Sequence, residues 1–177
     1  LIALIDSVSE KANELATEVL DNFSVNTNQE ILDIMCQKIG LNGNSVEHQT
    51  VLKDLLKIMI PNKADYTLTF RNLSQTLLDK DALFLEQFKD QDNIKEWLKN
   101  WKLEVQKSKQ ETKQIVKEME SVNPIYIPRN HCVDKAIKAA YEDDLEPMNE
   151  LVKALKEPFK QSNKYSHLAL PPKDEEK

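Results

Sequence analysis

Apolar residues recur three and four positions apart along nearly the whole of this 177-residue chain. That spacing places them on one face of an α-helix, and such a face must be buried against other helices. Only the stretch with Tyr66, Leu68 and Phe70 alternates as a strand does. We favour a helix there too, because no second strand candidate exists to pair with it. The pattern therefore predicts an all-α fold, an irregular bundle of roughly eight helices.

Helix ends are predicted where the sequence supplies a breaker. Gly40 is a natural end because glycine adopts the left-handed conformation at low cost. Pro61 is another, because proline lacks the N–H that a helix interior uses. Up to Pro61 we expect three helices, with apolar stripes at Val8, Ala12, Leu15, Val19 and Phe23, at Ile31, Leu32, Met35 and Ile39, and at Val51, Leu52, Leu55, Leu56 and Met59.

The middle of the chain predicts a short helix over residues 81–89 and one long amphipathic helix over residues 92–122. One face of the long helix is apolar, and the opposite face is dense in Lys and Glu, which is typical of a solvated surface. Trp97 and Trp101 lie four residues apart on the apolar face. We interpret them as core anchors, not as a cofactor site.

Two more helices are expected near the C-terminal end. Their apolar stripes are Val133, Ala136, Ile137, Ala140 and Tyr141, and then Met148, Leu151, Val152 and Leu155, with Pro158 ending the second helix. The residues from 160 onward are polar and contain two more prolines. We therefore predict a helical domain over residues 1–159 and an extended tail over residues 160–177, anchored by Tyr165 or Leu168.

Composition argues against several functional classes. The net charge of −6 and the pI near 5.2 argue against a nucleic-acid footprint, which needs clustered Lys and Arg. No apolar run approaches the roughly 20 residues of a membrane span. With only two glycines, Gly40 and Gly43, the chain has neither a G-x-G-x-x-G loop nor a Walker A loop. The opening LIALIDSVSEKANELA reads as a helix interior, not a signal peptide, so we expect a piece of a longer protein.

Residue types that commonly carry chemistry are present but are not grouped. The histidines and cysteines lack metal-ligand spacing, and nothing in the sequence brings a Cys–His nucleophile pair together. These residues are His48, His131, His167, Cys36 and Cys132. We expect single buried thiols, consistent with a reducing compartment. The acidic run Glu142, Asp143 and Asp144 lacks the Gly-centred spacing of a calcium loop and is interpreted as a solvated helix end.

The most irregular segment of the chain is SVNPIYIPRNHCVDKA. Pro124 disfavours helix for Asn123, so the long helix should end there, and the stretch to Pro128 should be extended. Asn130 should N-cap the next helix, and Arg129 should bind neighbouring carbonyls or a carboxylate. We interpret the segment as a structural connection, with a ligand or partner contact as the alternative. Its candidate residues are Asn123, Pro124, Tyr126, Pro128, Arg129 and Asn130.

The same segment resembles a signature of the SelO family, the selenoprotein O-like pseudokinases also called YdiU. Family members carry a close variant of N-P-x-Y-I-x-R-N followed by an A-I-x-A-A helix, which NPIYIPRNHCVDKAIKAA resembles. The stretches ADYTLTFRNLS, WLKNWK, LVKALKEPF and YSHLALPP resemble further family segments in the same order. Several motifs in one order are far more specific than any single one.

The resemblance implies that the chain is the helical C-terminal part of a kinase-like protein adenylyltransferase. Such an enzyme binds ATP with Mg²⁺ and transfers AMP to Ser, Thr or Tyr hydroxyls of target proteins. The family's phosphate-binding basic residues and metal-binding carboxylates lie upstream of the matched region. The resemblance therefore implies no catalytic, cofactor-binding or metal-binding residue in this chain.

These expectations give the chain a supporting role in a larger enzyme. Its partners would be the missing N-terminal kinase-like domain and the protein substrates, with neither nucleic acid nor membrane. Apolar surface left by the missing domain would also allow two copies to form a homodimer. The expected location is intracellular, cytoplasmic in a bacterium and mitochondrial in a eukaryote. The competing interpretation is a free-standing helical adaptor that binds other proteins.

Overall fold

A computed structural model describes residues 9–173, with side chains from residue 10 onward, so Val8 lies outside the described range. The described residues form eight α-helices and a 3-10 helix, without a strand, which confirms the all-α prediction. No helix in this range is long and apolar enough to cross a bilayer. The α-helices are α1 (Ser9–Lys38), α2 (Val46–Asn62), α3 (Tyr66–Thr76), α4 (Ala82–Leu85), α5 (Gln91–Gln106), α6 (Thr112–Val122), α7 (Asn130–Tyr141) and α8 (Glu146–Lys156), and the 3-10 helix spans Asn163–Ala169.

The larger of two hydrophobic cores lies among α1 to α6. Trp97 and Trp101 are buried in it as predicted, with their rings stacked at a centroid distance of 5.8 Å. The Trp101 indole N–H donates to the Ile39 carbonyl at 2.7 Å, and that of Trp97 donates to the Val51 carbonyl at 2.9 Å. Each tryptophan therefore joins α5 to an earlier helix through both ring and N–H. Other core members are Cys36, Leu52, Leu55, Phe70, Leu73, Phe84, Ile94, Ile115 and Met119.

A smaller core lies under α7, α8 and the 3-10 helix. Its buried members are Ile125, Tyr126, Cys132, Leu151, Ala154, Leu168 and Ala169. The predicted extended tail is wrong over residues 163–169, because that stretch forms the 3-10 helix. Turning there brings Leu168 and Ala169 under cover, with Tyr165 packed beside them. The burial of these side chains repays the cost of ordering the backbone.

Two predicted helices near the N-terminal end are one helix, α1. The stretch from residue 24 to 30 lacks apolar periodicity, but it has neither Gly nor Pro, so nothing interrupts the backbone bonds. Near Gly40 the chain turns as predicted, with φ at +71°. The predicted stop at Pro61 is off by one turn position, since α2 continues to Asn62 and ends at Lys63, whose φ is +51°. A proline in the last turn removes only one backbone hydrogen bond.

The predicted long helix over residues 92–122 is two helices, α5 and α6. Ser108 marks the break, because its hydroxyl donates to the Val105 carbonyl at 2.9 Å and accepts from the Gln110 N–H at 3.3 Å. A serine side chain used in this way competes with the helical backbone pattern. Lys109 completes the turn with a φ of +55°. The predicted short helix also shrinks, to the four residues of α4.

Candidate functional site

Asn123 ends α6, as its position before Pro124 predicted, and ties that end to α1. Its side-chain N–H donates to the Lys38 carbonyl at 2.8 Å, and its side-chain oxygen accepts from the Lys38 ammonium at 3.1 Å. The same ammonium donates to the Val122 carbonyl at 3.2 Å. Burial lowers the pKa of Lys38 from its ordinary value. These reciprocal bonds hold the end of α1 against the end of α6 in one geometry.

Arg71 of α3 meets the same helix end from the other side. Its guanidinium donates to the Glu120 carbonyl at 2.9 Å and to the Asn123 carbonyl at 3.1 Å. The Glu120 carboxylate lies 3.6 Å from this guanidinium and accepts from the Gln75 amide at 2.7 Å. Burial lowers the pKa of Arg71, and the Glu120 charge opposes that shift. The last carbonyls of α6 are thus satisfied by a buried cation.

Tyr126 faces the smaller core. The backbone N–H groups of Ile125 and Tyr126 both donate to the Pro158 carbonyl, at 2.8 and 3.2 Å. The Tyr126 hydroxyl donates to the Ser162 carbonyl and accepts from the Ser162 N–H, both at 3.0 Å. Its ring meets that of Tyr165 edge to face at 6.4 Å. The loop therefore holds the end of α8 and the start of the tail together.

Arg129 binds a carboxylate, as one of its two predicted modes. Two guanidinium nitrogens donate to the two oxygens of Asp65, at 2.7 and 3.1 Å, and Asp65 also accepts from the Leu68 N–H at 2.8 Å as the N-cap of α3. Burial alone would raise the pKa of Asp65, but the bonds from Arg129 and Leu68 outweigh it and the pKa is lowered. One carboxylate thus caps α3 and anchors the start of α7.

The remaining loop residues are less enclosed. Asn130 is exposed and is the first residue of α7, so its predicted role as N-cap is wrong. Arg129 occupies the N-cap position without a side-chain capping bond, because its guanidinium is engaged with Asp65. Pro128 is exposed and Pro124 half-buried. A groove of about 190 Å³ opens beside Tyr126, well below the roughly 300 Å³ of a small-molecule site.

The histidines and cysteines stay apart in the folded chain. His48 contacts the Gly43 carbonyl at 3.0 Å, His131 its neighbour Cys132 at 3.3 Å, and His167 the carboxylate of Glu150 at 3.5 Å. Cys36 and Cys132 lie in different cores. Within residues 9–173 no three His, Cys, Asp or Glu side chains are grouped as metal ligands are.

The acidic run between α7 and α8 is a turn. Asp143 has a φ of +63°, and the Asp144 carboxylate accepts from the Glu146 N–H at 2.9 Å. Short acidic side chains suit both roles, because they tolerate the left-handed conformation and bond to nearby backbone N–H groups. The geometry therefore supports the structural interpretation of the run Glu142, Asp143 and Asp144.

The loop's conserved-looking motif sits at a joint between two cores, and comparison with known proteins assigns the family. A model of the family described as Protein adenylyltransferase SelO matches residues 1–156. The chain belongs to the SelO family. It is 36% identical over 178 residues to a Protein nucleotidyltransferase YdiU of Maridesulfovibrio salexigens, with the whole chain covered. It is 34% identical to one of Rhodopseudomonas palustris and 33% to one of Bacillus cereus, each over 97% of the chain.

The match covers only 34–36% of each of these SelO relatives. The chain therefore spans about a third of the length of the curated relatives it matches. Roughly two-thirds of each relative has no counterpart in residues 1–177, and any chemistry housed there has to be argued separately.

Three residues of the joint were not singled out from the sequence of this SelO chain. Asp65 and Arg71 both lie in ADYTLTFRNLS, one of the stretches that resembled the family, so a signal for them was present without a role. Lys38 gave no signal, because a lysine at a helix end is usually solvated. Only its position beside Asn123 shows its function in the fold.

Proposed function

We propose that this chain is the helical scaffold of a protein adenylyltransferase. In the whole protein, a Ser, Thr or Tyr hydroxyl of a target protein attacks the α-phosphorus of ATP. The bond between the α- and β-phosphates breaks, AMP stays on the hydroxyl and pyrophosphate leaves. Support comes from the name of the matched family and from the curated relatives, which are called protein nucleotidyltransferases.

Magnesium and ATP do not fit the residues described in this chain. A Mg²⁺ ion bound with phosphates needs carboxylates placed together, and a triphosphate needs a glycine loop or a helix end open to it. Residues 9–173 contain no acidic or histidine group arranged for a metal. Gly40 is packed against Met119, and Gly43 lies in the loop before α2. We assign ATP and Mg²⁺ to the kinase-like part of the protein.

The observation that carries the scaffold role is the inward orientation of the family motif. Asn123, Tyr126 and Arg129 are 1%, 2% and 8% exposed, and their polar groups bond to Lys38, Ser162 and Asp65. A side chain used in this way has little capacity left to bind a substrate. It can instead hold two cores in one relative position, and nucleotidyl transfer depends on such held geometry.

The motif supplies its own matched pair for a test. In the full-length protein, we expect Asn123→Ala to lower thermal stability, because about 1–3 kcal/mol is lost for each buried group left unpaired. The rate of AMP transfer per folded molecule, measured with ATP labelled at the α-phosphate, should stay within about twofold, since the motif has no part in the chemistry. Asn130→Ala, at an exposed position of the same motif, should change neither quantity.

Two results would count against this proposal. A loss of kcat at unchanged melting temperature in either variant would place the loop in the chemistry. Failure of the wild-type protein to transfer AMP at all would favour the alternative, a helical interaction domain. That alternative has one observation in its favour, the exposed apolar side chains of α1.

A further inference from the structure

Much of α1 lies outside the helical bundle. At about 1.5 Å per residue its 30 residues span about 45 Å, whereas the next longest helix has 17 residues. Its contacts with the larger core come from the C-terminal end, where Met35 and Cys36 lie and where Ile39 follows. From residue 17 to 26 every residue is exposed. A helix that leaves its bundle in this way needs another surface to cover any apolar face it carries.

That part of α1 does carry an apolar face. Val19, Leu20 and Phe23 are 65%, 67% and 68% exposed, and Ile31 and Ile34 are 52% and 51% exposed. At 100° per residue, these five side chains fall within one third of the helix circumference. We call them the α1 stripe.

The opposite face of the same helix segment is acidic. Glu10, Glu14, Glu18 and Asp21 recur at intervals of four and three residues, so they share one side of the helix. That side faces away from the α1 stripe by roughly half a turn. The segment is therefore amphipathic, with one side suited to water and the other to a protein surface.

We propose that the α1 stripe packs against the part of the SelO polypeptide that lies outside the matched region. This inference rests on the proposed function, in which the chain is one part of a longer enzyme. The curated relatives supply a large surface for this contact, since the match covers only 34–36% of their length. Lys38 and Asn123 hold the base of α1 rigidly, so the stripe is presented in a fixed direction.

A second copy of the chain is a poorer occupant on grounds of area. Five large side chains exposed by half to two-thirds offer on the order of 500 Å² of apolar surface. A standard interface buries about 800 Å² on each partner. A neighbouring segment of the same polypeptide does not lose translational and rotational freedom on contact, so a patch of this size is sufficient for it.

Thiol labelling of the full-length protein tests this packing directly. Phe23→Cys places a thiol in the α1 stripe, and Glu18→Cys places one on the acidic face of the same helix. Both positions are exposed in the described structure, so an uncovered helix would give similar alkylation rates. We expect position 23 to react roughly tenfold more slowly or less than that, read by mass spectrometry of the peptide. Ile31→Cys is a second stripe variant with a smaller change of shape.

Each outcome bears on the proposal. Slow labelling of both stripe positions that persists after about a hundredfold dilution supports it. Equal rates at positions 18, 23 and 31 overturn it, and so does protection that dilution removes, because a second copy would then be the cover. AMP transfer is measured separately on the same preparations. An active enzyme with an accessible stripe refutes the packing alone, whereas a protected stripe in an inactive protein refutes the activity alone.

Discussion

Replacing Gly40 by Ala tests the packing of α1 against α6 with one methyl group. Gly40 has a φ of +71°, and a Cβ added there would lie 2.8 Å from the Met119 sulfur and 3.0 Å from Cγ2 of Ile115. Both neighbours are buried in the larger core. Gly43 is the matched control, because its φ of +76° is similar but no atom lies within 4 Å of the added Cβ.

The expected cost has two parts. A left-handed conformation costs a non-glycine residue about 1–2 kcal/mol, and this part is common to both positions. Forcing an extra methyl into a packed core costs about 1–3 kcal/mol more, and this part applies only to Gly40. We therefore expect Gly40→Ala to cost about 3 kcal/mol and Gly43→Ala about 1 kcal/mol. For a chain of this size the melting temperature should fall by roughly 6–12 °C and 2–4 °C.

Thermal unfolding followed by circular dichroism measures both differences. Replacement by Asn separates the two parts, because Asn tolerates the left-handed conformation better than Ala but is larger. Gly43→Asn should be milder than Gly43→Ala, whereas Gly40→Asn should be at least as damaging as Gly40→Ala. Equal losses at positions 40 and 43 would refute the close approach of α1 and α6.

Three further predictions concern the joint and the larger core. Asp65→Asn leaves Arg129, whose side chain is 7% exposed, without its counter-charge, so it should cost about 3 kcal/mol or more, and Asp65→Asn with Arg129→Met should cost less than the sum of the two singles in urea unfolding. Because the pKa of Asp65 is lowered in the fold, its ionised form contributes stability above the ordinary carboxyl pKa of about 4 and loses it as the pH falls further. Wild type should therefore lose more stability than Asp65→Asn below pH of about 4, and parallel curves would contradict this. Cys36 is fully buried and burial raises its pKa, so it should react with iodoacetamide roughly 100-fold more slowly than in urea, with fast native labelling as the contrary result. Trp101→Phe should cost about 2–4 kcal/mol, since it opens a cavity and unpairs the Ile39 carbonyl, and a cost below about 1 kcal/mol would show that neither matters.

The helical content of this chain follows from its sequence, because helix periodicity is a local property. The end of α6 at Asn123 was predicted for the same reason, since Pro124 acts on its immediate neighbour. The burial of Trp97 and Trp101 followed from their shared face. The order of the motifs in the sequence was also enough to indicate the SelO family.

Errors arose where local signals were weak or balanced. Residues 24–30 lack an apolar pattern but also lack a helix breaker, so the helix continued. The stretch around Ser108 contains no Gly or Pro, yet its side chain and the left-handed Lys109 separated α5 from α6. Asn130 has the side chain of an N-cap, but Arg129 took that position because Asp65 fixes the chain one residue earlier.

The sequence by itself determined the helices, most of their ends and the family to which the chain belongs. Only the tertiary structure decided what the motif residues bind. Arg129 and Asp65 lie 64 residues apart, and Lys38 and Asn123 lie 85 apart. Such pairs form because helices that bury their apolar faces bring distant ends together, and a buried charge at that meeting point must then find a partner. The same physics leaves the stripe of α1 exposed, since no helix among the described residues reaches it.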